Sequence, residues 1–207
     1  MPTSPRVSPL TNRPRQTGLL LAAAAFVALA GLSGCAADSK GVVYNKNFTA
    51  GYSPTSLSAL RQPLLVETFG LPGAGQTQQA VTEATVNGLR DNGPRWAQLS
   101  YSGNPVDAPN PPYKLRFAYG APVAFARADL CGEGLQASDV GGDGSSGRAV
   151  AALCRGTRFV AIAEGSPGVN ADIASADFSN FVGLVGRQVL PRRNPVVDDD
   201  CLFRVCD

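Results

Sequence analysis

The chain has 207 residues, with 18 lysines and arginines against 16 aspartates and glutamates, and it contains no histidine. The missing histidine excludes Ser-His-Asp and Cys-His catalytic arrangements and zinc hydrolysis that depends on histidine ligands. Residues 1–34 hold three arginines and no acidic residue, so the rest of the chain has 15 basic residues against 16 acidic ones, and we expect no nucleic acid partner. The length suits one domain with its own hydrophobic core.

The beginning of the chain predicts export. Three arginines and no acidic residue precede an apolar run from Gly18 to about Leu32, which is followed by Ser33, Gly34 and Cys35. A basic segment, a short apolar core and small residues at its end are typical of a secretory signal. A membrane-spanning helix needs about 20 apolar residues, so this run is short for a permanent span.

Leu32-Ser33-Gly34-Cys35 resembles the lipobox of bacterial lipoproteins, in which an aliphatic residue and two small residues precede a cysteine. The resemblance implies a signal peptide over residues 1–34, a diacylglyceryl thioether on Cys35, cleavage before Cys35 and acylation of the new amino terminus. Two or three acyl chains would hold the protein on a membrane permanently. Ala36 stands where an Asp would favour the inner membrane, so the resemblance favours the outer membrane, with the domain facing the periplasm. An ordinary or uncleaved signal with a chance cysteine is the alternative.

The other four cysteines predict disulfides. Cys131, Cys154, Cys201 and Cys206 are an even number in an oxidising compartment, and four cysteines allow three pairings. We favour Cys131–Cys154 with Cys201–Cys206, because the second pair closes a short loop and the first flanks one excursion of the chain. Free buried thiols are the alternative. The spacings fit no zinc ribbon or finger, and we expect neither a metal nor a cofactor.

The chain after the signal divides into a tether and a domain. Residues 35–58 are polar, with Gly and Pro, which predicts a lipidated N-terminus and a tether, although Val42 to Phe48 could add an edge strand. The predicted domain covers residues 59–191. Its first elements are a buried strand at 64–69 and a weak helix at 76–89.

A meander of strands is predicted next. The clearest strand is Tyr113 to Tyr119, in which Tyr, Leu, Phe and Tyr alternate with Lys, Arg and Ala. Residues 122–128 are predicted to be its antiparallel partner. The remaining segments are an alternating stretch at 96–101, a proline-rich loop at 104–112, a glycine-rich excursion at 132–147, a strand or short helix at 148–154 and a strand at 159–163.

An amphipathic helix at 177–190 closes the predicted domain, with Asp177 as its cap. The apolar stripe of this helix contains Phe178, Phe181, Val182, Val185 and Val189. Residues 192–207 are predicted to be a polar, stapled C-terminal tail. Together the elements predict an α+β fold, a small antiparallel sheet with two helices packed on one face.

The layout from Leu64 to Tyr119 loosely resembles that of small envelope-assembly lipoproteins, such as the lipopolysaccharide-assembly lipoprotein and the auxiliary lipoproteins of ABC transporters. This resemblance implies a protein partner in the cell envelope. The leading hypothesis is therefore a non-enzymatic, lipid-anchored envelope protein that acts as a structural or assembly partner.

Candidate ligand or catalytic residues are few. The aromatic set of Trp96, Tyr113, Phe117 and Tyr119 is expected to be core, because aromatic residues at strand spacing more often pack inside. A face that binds a glycan or a lipid is the alternative. A carboxylate pair for glycoside hydrolysis would need Glu67 and Glu164, and a Ser-Lys dyad would need a buried Lys114. Asp198 to Asp200 are better explained as a solvated run of charge than as a calcium site. Asp139 and Asp143 are better explained as parts of a linker.

Overall fold

A computed structural model describes residues 41–140 and 146–197. The strands are β1 (Val42–Phe48), β2 (Leu64–Phe69), β3 (Tyr101–Ser102), β4 (Lys114–Tyr119), β5 (Ala149–Arg155) and β6 (Arg158–Ser166). The α-helices are α1 (Pro54–Ser58), α2 (Gln78–Asn92), α3 (Ala137–Val140) and α4 (Ala176–Val189), and short 3₁₀ helices occupy Pro105–Asp107 and Arg127–Cys131. None of the described helices is long and apolar enough to cross a bilayer.

The predicted α+β class is confirmed, and the six strands form a mixed sheet in the order β1-β6-β5-β4-β2-β3. Strands β1, β6, β5 and β4 pair antiparallel, as predicted for the sheet. Strand β2 instead runs parallel to β3 and β4. The crossover through α2 explains this difference, because a helix of this length returns the chain to the same end of the sheet.

Helices α2 and α4 cover one face of the sheet, as predicted. The apolar stripe of α4 is buried in the core that the helices form with the sheet, and Phe178 and Phe181 are each 1% exposed. The predicted cap, Asp177, is wrong: Ser175 is the N-cap, and its hydroxyl accepts a hydrogen bond from the Phe178 backbone N–H. Asp177 lies in the first turn, where its charge is favourable to the helix dipole.

The opposite face of the sheet is covered by the segment between β4 and β5. Residues 122–128 do not form the predicted strand; Phe125 N–H closes a turn on the Pro122 carbonyl, and a 3₁₀ helix follows at Arg127–Cys131. Strand β4 already has β2 on one side and β5 on the other, so no edge remains for a hairpin partner. The segment therefore folds under the sheet instead of extending it.

The folded domain includes residues on both sides of its predicted limits. The edge strand expected at Val42 to Phe48 is confirmed, because β1 pairs with β6 at the edge of the sheet. The predicted tether is wrong for residues 49–58, where Leu57 of α1 is fully buried. The Tyr52 hydroxyl donates to the Pro191 carbonyl at 2.5 Å, and Asn194 donates to the Tyr52 carbonyl at 2.9 Å. The first residues of the predicted C-terminal tail are thus fixed to the N-terminal part of the domain.

Candidate functional site

The aromatic set of the alternative ligand face lies inside the core. Tyr113, Phe117 and Tyr119 are 5% exposed or less, because α2 and α4 pack over them. Trp96 is half-buried, and its indole N–H donates to the Leu190 carbonyl at 2.7 Å. The predicted core packing is therefore confirmed for Tyr113, Phe117 and Tyr119, and the alternative of a ligand face is wrong for them. They stabilise the packing of helices on sheet.

Tyr119 places a hydroxyl in this core. The oxygen lies 2.9 Å from Oγ1 of Thr85, which itself donates to the Val81 carbonyl in α2. The one hydroxyl proton of Thr85 is used in that bond, so the Tyr119 hydroxyl must donate to Thr85. Burial raises the pKa of Tyr119 well above its ordinary value of 10, so the hydroxyl stays protonated.

A first charged cluster lies on the other face of the sheet. Glu67 of β2 accepts from Lys114 Nζ at 3.0 Å and from Arg116 Nε at 2.6 Å. Arg116 also donates to the carbonyls of Leu130 and Gly132 at 3.1 and 2.8 Å. The cluster fixes the segment under the sheet to β2 and β4. Lys114 is an ion-paired, one-third exposed side chain and not the buried lysine that a Ser-Lys dyad needs.

A second charged cluster surrounds Glu164 of β6. Its carboxylate accepts from Arg148 Nε at 2.5 Å and lies 3.5 Å from Arg127 Nη1. Asn45 of β1 donates to the same carboxylate at 3.4 Å. Tyr44 lies beside this cluster, and its pKa is raised, first by burial and then by the Glu164 charge.

Glu67 and Glu164 are not brought together. Strands β4 and β5 lie between their strands, and a spacing of about 4.8 Å per strand puts them roughly 14 Å apart. Paired carboxylates in glycosidases lie about 5–10 Å apart. Each glutamate also forms an ion pair with an arginine of its own cluster.

The predicted Cys131–Cys154 disulfide is confirmed. Its Cα atoms are 5.5 Å apart, and it joins the 3₁₀ helix at Arg127–Cys131 to β5 across 23 residues. Both cysteines are buried beneath the sheet. The predicted partners Cys201 and Cys206 lie outside the described residues, as does Cys35. The covalent link and the Arg116 hydrogen bonds hold the same segment in place.

An open groove runs along the outer edge of β2, and sequence reasoning missed it. Strand β3 pairs only with Leu64 and Leu65, so among the described residues the edge from Val66 to Phe69 has no neighbouring strand. A cavity of about 740 Å³ lies between α2 and residues 102–104. A second cavity of about 340 Å³ follows β2 itself from Leu65 to Phe69. Thr82 and Gly103 line both cavities and pack against each other where the cavities adjoin. We call the two adjoining cavities the groove.

Polar side chains fix the walls of this groove. Thr68 of β2 lies 2.6 Å from the Thr82 hydroxyl and accepts from the Gln78 amide at 2.6 Å. At the other wall, Ser102 donates to Asp107 at 2.5 Å. Glu83, Asn87 and other exposed residues of α2 face the opening. The groove combines an unpaired strand edge with a rigid polar rim, which is the form of a site for an extended peptide.

The sequence carried one signal for the groove. Residues 103–112 contain three glycine or asparagine positions and four prolines, which stop β3 after two residues. A short edge strand leaves its longer neighbour uncovered.

No group of three potential metal ligands occurs in the part of the chain that the structure describes. Asp139 accepts a hydrogen bond from the Gln136 backbone N–H at 2.7 Å, in the manner of a helix cap. Asp143 and Asp198 to Asp200 lie outside the described residues. Comparison with protein-family models, with curated proteins and with solved structures finds no match to this chain.

Proposed function

We propose that this chain is an exported lipoprotein, anchored through acyl chains on Cys35, which acts as a non-enzymatic assembly partner in the cell envelope. The observation that carries the proposal is the sequence Leu32-Ser33-Gly34-Cys35 at the end of an apolar run. Ala36 favours the outer membrane and a domain that faces the periplasm. The Cys131–Cys154 disulfide supports an oxidising compartment, because such bonds are rare where thiols are kept reduced.

The groove along β2 is the surface we assign to the partner. Its occupant is an extended segment of another envelope protein, which adds to the free strand edge through backbone hydrogen bonds. The Gln78 amide and the Thr82 hydroxyl already donate within the domain, to Thr68 and to the Gln78 carbonyl. The strand edge itself would therefore bind the backbone of that segment. The ion-paired state of Glu67 and Glu164 supports a binding role over a catalytic one.

Site-specific photocrosslinking in intact cells tests this function. A photoreactive residue at Asn87 faces the groove, whereas one at Asp91 is exposed on the same helix outside it. We expect a discrete protein adduct from position 87 and none from position 91. Glu83→Arg should abolish the adduct, whereas Asp91→Arg, which makes the same change of charge, should retain it.

Two outcomes would contradict the proposal. Equal adducts from positions 87 and 91 would show that the groove does not select a partner. The proposed lipid anchor would be contradicted if the wild-type chain stayed in the soluble fraction after cell breakage, as Cys35→Ser does.

A further inference from the structure

The first residue that the structure describes comes only six residues after Cys35, and this distance limits where the domain can be. Gly41 is the first described residue, and Val42 already pairs with Ser166 in the sheet. A chain extends at most about 3.6 Å per residue, so six residues reach roughly 20 Å. If Cys35 carries acyl chains, this end of the sheet cannot leave the bilayer surface.

Exposed apolar side chains concentrate at the same end. Seven large apolar residues are exposed in the described part of the chain, and four of them surround the start of β1. We call these four the N-terminal patch: Val42, 58% exposed, Tyr44, 58%, Val123, 92%, and Val169, 63%. The exposure of Val123 is that of a side chain with almost no contact to its own protein.

Contacts between the intervening residues place the patch together. Gly147 lies against Val169, three residues beyond the Ser166 that pairs with Val42. Arg148 donates to the Pro122 carbonyl, directly before Val123, at 2.5 Å. Arg148 also binds Glu164, the carboxylate to which Asn45 donates beside Tyr44. The four side chains therefore surround one charged cluster.

The charge of that cluster suits a lipid headgroup region. Arg127 and Arg148 outnumber Glu164, and Arg127 is 39% exposed with a single 3.5 Å contact to the carboxylate. Guanidinium groups bind phosphate oxygens well, and apolar side chains beside them enter the boundary between headgroups and acyl chains.

We propose that the N-terminal patch is a membrane-docking surface, which seats the domain on the bilayer that carries its lipid anchor. The inference rests on the proposed acylation of Cys35, because the short connection supplies the proximity. Docking would fix the orientation of the domain and place β1 against the lipid, instead of leaving the domain free to rotate on its anchor.

Tryptophan quenching by lipid tests the proposal on the full lipidated chain, reconstituted in vesicles that contain bromine-labelled phospholipid. Val123→Trp and Val169→Trp place reporters in the patch. Val106→Trp is the matched control, because Val106 is a valine of 79% exposure outside the patch. We expect the patch reporters to be quenched roughly twofold more than the control, after the signal of Trp96 is subtracted.

The outcomes separate this inference from the anchor itself. Equal quenching at positions 123, 169 and 106 in vesicle-bound protein would overturn docking and leave the anchor intact. Failure of the chain to stay with vesicles, together with a mass that lacks acyl groups, would overturn both. Unchanged thermal unfolding of the three variants ensures that the comparison reports position and not misfolding.

Discussion

A hydroxyl in the core shows what a single polar group contributes. Tyr119 is fully buried and donates to Thr85, whereas the equally buried hydroxyl of Tyr101 has no hydrogen-bond partner among the described residues. A satisfied buried hydrogen bond contributes about 1 kcal/mol, and an unsatisfied hydroxyl contributes nothing or costs free energy. The two tyrosines are therefore a natural pair for comparison.

Tyr119→Phe should lower the free energy of unfolding by about 1 kcal/mol, and Tyr101→Phe should leave it unchanged or raise it slightly. The reason is that only the first change removes a hydrogen bond. Urea unfolding of both variants measures the difference. Equal losses of stability would show that the Tyr119–Thr85 contact has no net value.

The buried aromatic residues also show what the sequence pattern could not predict. The alternation of Tyr113, Phe117 and Tyr119 correctly identified one face of a strand, but alternation does not tell which layer covers that face. The lengths of α2 and α4 decide whether that face is buried, since two long helices cover the whole aromatic stripe. The strand pattern therefore favours a buried face but does not identify the helices that cover it.

Helices α2 and α4 approach each other closely through glycine. A Cβ at Gly183 would lie 2.5 Å from the Asn92 carbonyl oxygen, while one at Gly186 would lie 2.7 Å from a terminal methyl of Leu89. Backbone cannot move aside, but the end of a leucine side chain can. The two glycines, three residues apart on one helix, therefore differ in what a methyl group would cost.

Gly183→Ala should destabilise the domain by about 1–3 kcal/mol, because overpacking against backbone outweighs the gain in helix propensity. Gly186→Ala should change stability by less than about 1 kcal/mol, since the Leu89 side chain can rotate. Thermal unfolding of the two variants provides the measurement. The reverse order would mean that the helices are spaced differently from the structure described.

At the element scale, local pattern predicted the elements that have strong periodicity and missed those that depend on pairing. The strands at 64–69 and 113–119 and the helix at 177–190 are present within one or two residues. The alternating stretch at 96–101 yields only β3, because Gln98 has a positive φ of 43° that interrupts the extended chain. The parallel direction of β2 depended on the crossover, which no short window of sequence contains.

Within the residues that the structure describes, one disulfide constrains the molecule beneath the sheet. We propose a second covalent attachment, through lipid, at the membrane. The Cys131–Cys154 bond fixes the segment that covers one sheet face. The proposed lipid on Cys35 would attach the domain to the bilayer. Spacing and compartment made the first predictable, because the two cysteines flank one excursion. The groove was not predictable, because it arises from strands that are distant in sequence.

Replacement of Cys131 and Cys154 by alanine should lower the free energy of unfolding by about 3 kcal/mol, since their disulfide closes a loop of 23 residues. Hydrogen exchange should rise most at residues 121–140, while α4 stays protected. Equal stability of the variant and the wild type would show that this bond is absent from the native protein.

Intact mass spectrometry of the native polypeptide, extracted from the membrane of its own cell, tests the central claim most directly. The account predicts a chain that begins at Cys35 and carries the added mass of a diacylglyceryl group and a fatty acyl group. A chain that retains residues before Cys35, or that begins there without fatty acyl groups, would contradict the account.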